Sequence, residues 1–127
     1  MNHRKQNFFK AVINAFDGLC AFVKNERNGQ IQVGIAITIA IAGFYFSISA
    51  NEWLIVLLCT SIVISLEIIN SALEKLSDMV EPNFNLSIKT IKDIAAAAVL
   101  WSALISIIIG AIIFIPRIKE LLSHFFH

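Results

Sequence analysis

The sequence predicts an all-α integral membrane protein, with three transmembrane helices preceded by an amphipathic helix on the membrane surface. Three observations carry this. Of 127 residues, 57% are hydrophobic and only 15% are charged, and a chain this short cannot hide so many apolar side chains behind so little polar surface. The apolar residues gather in long runs almost free of charge. The N-terminal stretch instead mixes apolar and charged residues at helical spacing. Together these exclude a disordered tail, a disulfide-stapled secreted domain and an ordinary soluble enzyme. Ten Lys and Arg against nine Asp and Glu give a net charge of +1, so no overall field calls for a nucleic-acid partner. Cys20 and Cys59 have neither a disulfide framework nor a metal-ligand spacing around them.

The length suits a single domain, 1–127. The surface helix is expected over about 6–28, where Phe8, Val12, Ala15, Phe16, Leu19, Phe22 and Val23 recur beside Lys10, Asn14, Asp17 and Lys24. Asp17 and Lys24 break its apolar face, and no small-residue cleavage site follows, so it does not read as a signal peptide. The spans are expected at about 31–49, 53–80 and 88–115. A short connection around Ser47 to Glu52 forces the first two into an antiparallel hairpin, with Asn51 and Ser49 as suitable turn or N-cap residues. Val80 to Lys92 reads as a loop with Ser87 the candidate N-cap of the last helix. Pro116 and Arg117 close the last apolar run.

Lys and Arg set the orientation. Arg4, Lys5, Lys10, Lys24 and Arg27 precede the first span, and Lys75, Lys89 and Lys92 lie around the second connection. The hairpin has none, and the C-terminal tail has Arg117 and Lys119. The N-terminus and second connection are therefore expected to face the cytoplasm, with the C-terminus on the opposite side.

The most informative feature is a polar stripe. Glu67, Asn70, Glu74 and Asp78 fall within roughly 80° on one side of the second span. If Trp53 marks the far interface, Glu67 lies roughly 21 Å along, inside a hydrocarbon layer of about 30 Å. A carboxylate there costs about 2.5–3.5 kcal/mol on insertion scales, so it should face the bundle interior or a water-filled cleft. Buried helix-to-helix hydrogen bonds could account for Glu67 or Asn70 alone. Three acids on one face repel one another unless a cation sits among them. Glu26 before the first span, and Lys92 and Asp93 before the third, should reach the same layer. Several carboxylates, an amide and an ammonium at one depth suit magnesium and polyphosphate chemistry. Lys75 points to a different face from Glu74 and is left out of this site, and Glu52 and Glu120 read as solvated charges at the opposite end.

The run Glu67, Asn70, Ser71, Ala72, Glu74 and Asp78, followed by Lys92, Asp93 and Ala95 to Val99, closely resembles the two-part signature of the small prokaryotic diacylglycerol kinase family. That family includes the undecaprenol kinases of many Gram-positive bacteria. The Phe16 to Leu19 stretch and the Asn25 to Asn28 segment are similar to its surface helix and the acid that ends it. The resemblance implies a homotrimer that uses MgATP to phosphorylate a membrane lipid hydroxyl, diacylglycerol or undecaprenol, with each site shared between subunits. It implies metal-binding acids at Glu26 and Glu74 and a proton acceptor at Glu67. Asn70 would orient either that acid or the lipid hydroxyl itself, and Asp78, Lys92 and Asp93 would contact the nucleotide. No P-loop motif is present. The competing class is a small oligomeric channel or ion-coupled transporter with a Glu67-lined pathway.

The topology is checked by fusing a reporter after His127: the C-terminus should report a non-cytoplasmic location, and a cytoplasmic signal overturns the orientation.

Overall fold

The computed structural model describes residues 7–127. They form four helices: α1 (Phe8–Asn25), α2 (Arg27–Tyr45), α3 (Ala50–Val80) and α4 (Leu86–Phe125). The expected start of the surface helix near residue 6, and the charges of Arg4 and Lys5, lie outside the described residues.

α1 touches the rest of the structure mainly through α2, and its side chains are exposed along its length except Phe22, which is buried, and Val23, which is half-buried. Glu26 is the single non-helical residue between α1 and α2, with φ −105° and ψ 120°. This break turns the chain from α1 into the bundle. Gly29 permits the turn, because a Cβ there would come 2.9 Å from both the Phe22 ring and the Phe22 carbonyl oxygen.

The hairpin between α2 and α3 forms as its residues suggest. Ser47 takes the left-handed region at φ 50°, and Ser49 caps α3. The Ser49 hydroxyl accepts from the Glu52 N–H at 3.2 Å, and Glu52 Oε1 accepts from the Ser49 N–H at 3.0 Å, a reciprocal pair that satisfies two orphan donors of the first turn. Just inside the hairpin Gly43 lies against Trp53, with room for no Cβ: one would meet the indole ring at 2.6 Å. Trp53 in turn stacks on Phe44 with centroids 4.9 Å apart. Ile48, Val56 and Ile113 form the buried core here, with Phe46, Trp53 and Phe114 packed around it.

α3 packs most closely on α4 and less on α2. An apolar cavity of about 220 Å³ remains where the three helices diverge, lined by Ala36, Val56, Thr60, Val63, Ser106 and Phe114 among others. The α3–α4 pair is tied at both ends. At the hairpin end Arg117 forks onto Glu52, with Nη2 to Oε1 at 2.7 Å and Nη1 to Oε2 at 2.9 Å. Glu52 is therefore a paired side chain and not the free solvated charge that the sequence suggested. It had been read from α3 alone, without α4 beside it. At the other end Lys92 of α4 donates to Asp78 of α3.

Several helix ends differ from expectation. α1 stops at Asn25 and not near 28, because Glu26 is extended, and α2 runs from Arg27 to Tyr45 and not over 31–49, because the chain turns at Ser47. Asn85, not Ser87, caps α4, accepting from the Ser87 N–H at 2.9 Å and the Ile88 N–H at 3.2 Å. Both are good caps, but Asn85 comes first and its carbonyl reaches two donors at once. The helix also runs through Pro116 to Phe125, past the closure read at residue 115. Proline removes one intrahelical donor, and Arg117 Nη1 donates to the Ile113 carbonyl at 2.7 Å in the same turn.

α3 and α4 are long and apolar enough to cross a membrane. α2 opens on a polar turn, Arg27, Asn28 and Gln30, which takes up length an apolar span would use. The outward faces of the helices carry exposed Ile35, Ile41, Leu57, Leu100, Trp101 and Ile107, an apolar exterior that suits a bilayer rather than water.

Gly43→Val should lower stability by about 1–3 kcal/mol through displacement of Trp53. Gly34→Ala, where a Cβ meets open space, should be neutral or stabilise by up to about 1 kcal/mol. Thermal unfolding in detergent measures both.

Candidate active site

The site is built on the buried seam of α3. Val56, Val63, Asn70 and Ser77 recur at seven-residue intervals, and Glu67 and Ser71 lie beside them. One face of one helix thus changes from apolar to polar as it passes Glu67. The side chains there are enclosed: Glu67 is 3% and Asn70 6% exposed. That burial is what the membrane depth of Glu67 required. Asn70 Nδ2 donates to Glu74 Oε1 at 3.5 Å, a long bond that leans the amide toward the next acid. Glu67 Oε1 and Asn70 Oδ1 are buried with no hydrogen-bond partner among the described residues. Buried acceptors of this kind need a donor or a cation.

Around this seam the other expected residues fall into ion pairs. Lys92 bonds Asp78 across α3 and α4. Asp93 bonds Lys89 one turn earlier on α4, at 2.6 Å, and its side chain joins none of the other six site residues by a hydrogen bond or ion pair. Glu26, at the break between α1 and α2, bonds Lys75. Seven positions named from the sequence thus form four groups: Glu67, Asn70 and Glu74 in line on α3, Asp78 with Lys92, Glu26 with Lys75 and Asp93 with Lys89.

Among the described residues no three His, Cys, Asp or Glu side chains come close enough to cage a metal ion. Magnesium does not require such a cage. It takes one or two carboxylates and completes its octahedron with phosphate oxygens and water. Glu74, exposed at the end of the seam, and Glu26, whose carboxylate already sits on a cation, suit that donor set. The free acceptors at Glu67 and Asn70 suit a hydroxyl proton.

The sequence reading missed Lys75, Lys89, Ser71 and Ser77. Lys75 lies about 100° round the helix from Glu74, off the polar stripe. That is the direction of a second neighbour, since α3 is flanked by both α2 and α4, and Glu26 lies at the head of α2. Lys89 stands four residues before Asp93, a spacing at which pairing could have been read. Ser71 stands in the signature with no role of its own attached, and Ser77 gives no signal beyond its place on the same face.

Known proteins resemble this chain along most of its length. The model of the family described as prokaryotic diacylglycerol kinase matches residues 13–114. The undecaprenol kinase of Bacillus subtilis (strain 168) is 36% identical over 119 residues, covering 92% of this chain and 97% of its own. A diacylglycerol kinase of Synechocystis is 28% identical over 109 residues, 85% of this chain and 62% of its own. One of Helicobacter pylori (strain 26695) is 31% identical over 94 residues, 73% of each chain. No solved structure matches.

The Asp78–Lys92 pair should show a coupling of about 0.2–1 kcal/mol in a double-mutant cycle of Asp78→Asn and Lys92→Met. Unfolding of the four variants measures it, and the coupling should shrink in high salt.

Proposed function

The chain belongs to the prokaryotic diacylglycerol kinase family, and from that membership we propose a single-domain, three-span enzyme that phosphorylates a membrane lipid hydroxyl from MgATP at the cytoplasmic face. That it is a lipid kinase follows from the family and its relatives. The spans are α2, α3 and α4, with α1 lying along the inner surface of a bacterial cytoplasmic membrane. The observation that carries the chemistry is the pair of buried, unpartnered acceptors, Glu67 Oε1 and Asn70 Oδ1, one to two turns from Glu74 on the same helix.

Glu67 Oε1 takes the proton of the lipid hydroxyl. The freed oxygen then bonds to the γ-phosphorus as the bond to the β–γ bridging oxygen breaks, and ADP leaves with that oxygen. Burial excludes water that would otherwise compete for the phosphoryl group. Asn70 orients Glu74 through its amide and offers its own carbonyl to the hydroxyl. Glu26 and Glu74 would hold the divalent ion, which when bound neutralises charge on the phosphate oxygens. Lys92 exchanges Asp78 for nucleotide phosphate, and Asp78 and Asp93 flank it. The acids of one chain are spread over four separate groups, which suits an assembly whose neighbours complete each site, the homotrimer that the family resemblance implies.

Undecaprenol is the favoured acceptor, because the undecaprenol kinase resembles this chain over 97% of its length at 36% identity. The lipid tail stays in the bilayer, so no deep pocket is needed. The channel or transporter alternative draws no support from the relatives, all named as kinases.

Purified protein should transfer label from ATP to undecaprenol in preference to diacylglycerol when the two compete. Absence of labelled product with both, in a folded sample, overturns the assignment. Glu67→Gln should lower kcat at least about 10²-fold, and Glu74→Gln should abolish turnover with the oligomer intact.

A further inference from the structure

The polar end of α3 carries one cation that the reaction does not use. Lys75 follows Glu74 directly, and its ammonium bonds Glu26. Glu26 is only 25% exposed, whereas the Lys75 side chain is 65% exposed. The ion pair also ties two elements, since Glu26 is the lone non-helical residue between α1 and α2. The other two ion pairs of this end, Lys92 with Asp78 and Lys89 with Asp93, do not involve the acids assigned to the divalent ion. So the cation held by one of those acids, and attached to the residue next to the other, is the chain's own ammonium.

We propose that Lys75 is a positioning residue: a resident counter-ion that holds the Glu26 carboxylate in place before the divalent ion binds and competes with that ion for it. The inference rests on the assignment of Glu26 to the metal. A carboxylate at the break between two helices has little backbone to fix it, and an ammonium on α3 aims it toward Glu74. The same ammonium repels an arriving divalent cation. Being largely in solvent and on a flexible stem, it can withdraw from Glu26 at small cost, so the competition is modest. An exposed pair of this kind corresponds to about a 1.5- to fivefold effect on an equilibrium.

The test is Mn²⁺ titration of the purified full chain in micelles, read by the electron paramagnetic resonance signal of free Mn²⁺. Lys75→Met and Lys75→Gln should each tighten Mn²⁺ binding by about 1.5- to fivefold, and Lys75→Arg should bind as the parent does. Glu26→Gln should weaken binding, and adding Lys75→Met to it should change nothing further. If Glu26→Gln weakens binding while Lys75→Met and Lys75→Gln leave it unchanged or weaker, or if Lys75→Met tightens it equally in the Glu26→Gln background, the counter-ion role is overturned. If Glu26→Gln binds Mn²⁺ as the parent does, the metal assignment of Glu26 itself fails.

Discussion

The architecture depends on the lengthwise pairing of α3 with α4, which is tied at its two ends by Glu52–Arg117 and Asp78–Lys92. Residues 52 and 78 are separated by about 39 Å of helix. That is close to the full thickness of a bilayer with its headgroups. Between them only apolar contacts and the buried polar patch hold the helices in register, so the two ion pairs place Glu67 and Asn70 at a defined depth. α2 and α1 are then added in sequence, each packed mainly on the helix next to it in the chain.

Within that frame the seam of α3 does two jobs. Its Trp53 to Val63 half packs against Gly43, Ile113 and Phe114 as an ordinary apolar core. Its Glu67 to Ser77 half buries polar groups that a purely structural helix would not carry. Leaving a carboxylate oxygen enclosed without a partner lowers stability, and such departures from local consistency are found where a protein does chemistry. The arrangement is graded: Glu67 is enclosed, Asn70 is enclosed and donates to Glu74, and Glu74 meets solvent. Two acids thus stand on one helix in two different environments.

Much of this was legible in the sequence. The uncharged runs located the bundle helices, Ser49 was a legible N-cap, and the four-residue stripe on α3 foretold that Glu67 would face inward. What escaped were relations between helices. Glu52 with Arg117 and Glu26 with Lys75 join residues far apart in the chain, and a helical wheel of α3 cannot say which neighbour lies on which side. The gathering of carboxylates at one depth was a statement about height along the membrane normal. The structure adds lateral position, and there the acids separate into pairs. The passage of α4 through Pro116 was likewise invisible, because proline forbids one hydrogen bond without forbidding the helix around it.

The two ties on α3 are not equally sheltered. The side chains of Glu52 and Arg117 are 23% and 29% exposed, whereas that of Asp78 is 65% exposed. Dissolved ions screen the second far more than the first. At the exposed end residues 81–85 join α3 directly to α4, so that pair stands beside a covalent link. At the other end the chain leaves the two helices unconnected, and the sheltered Glu52–Arg117 fork is the tie that keeps them from splaying. The better-protected ion pair thus lies where side chains alone must do the holding.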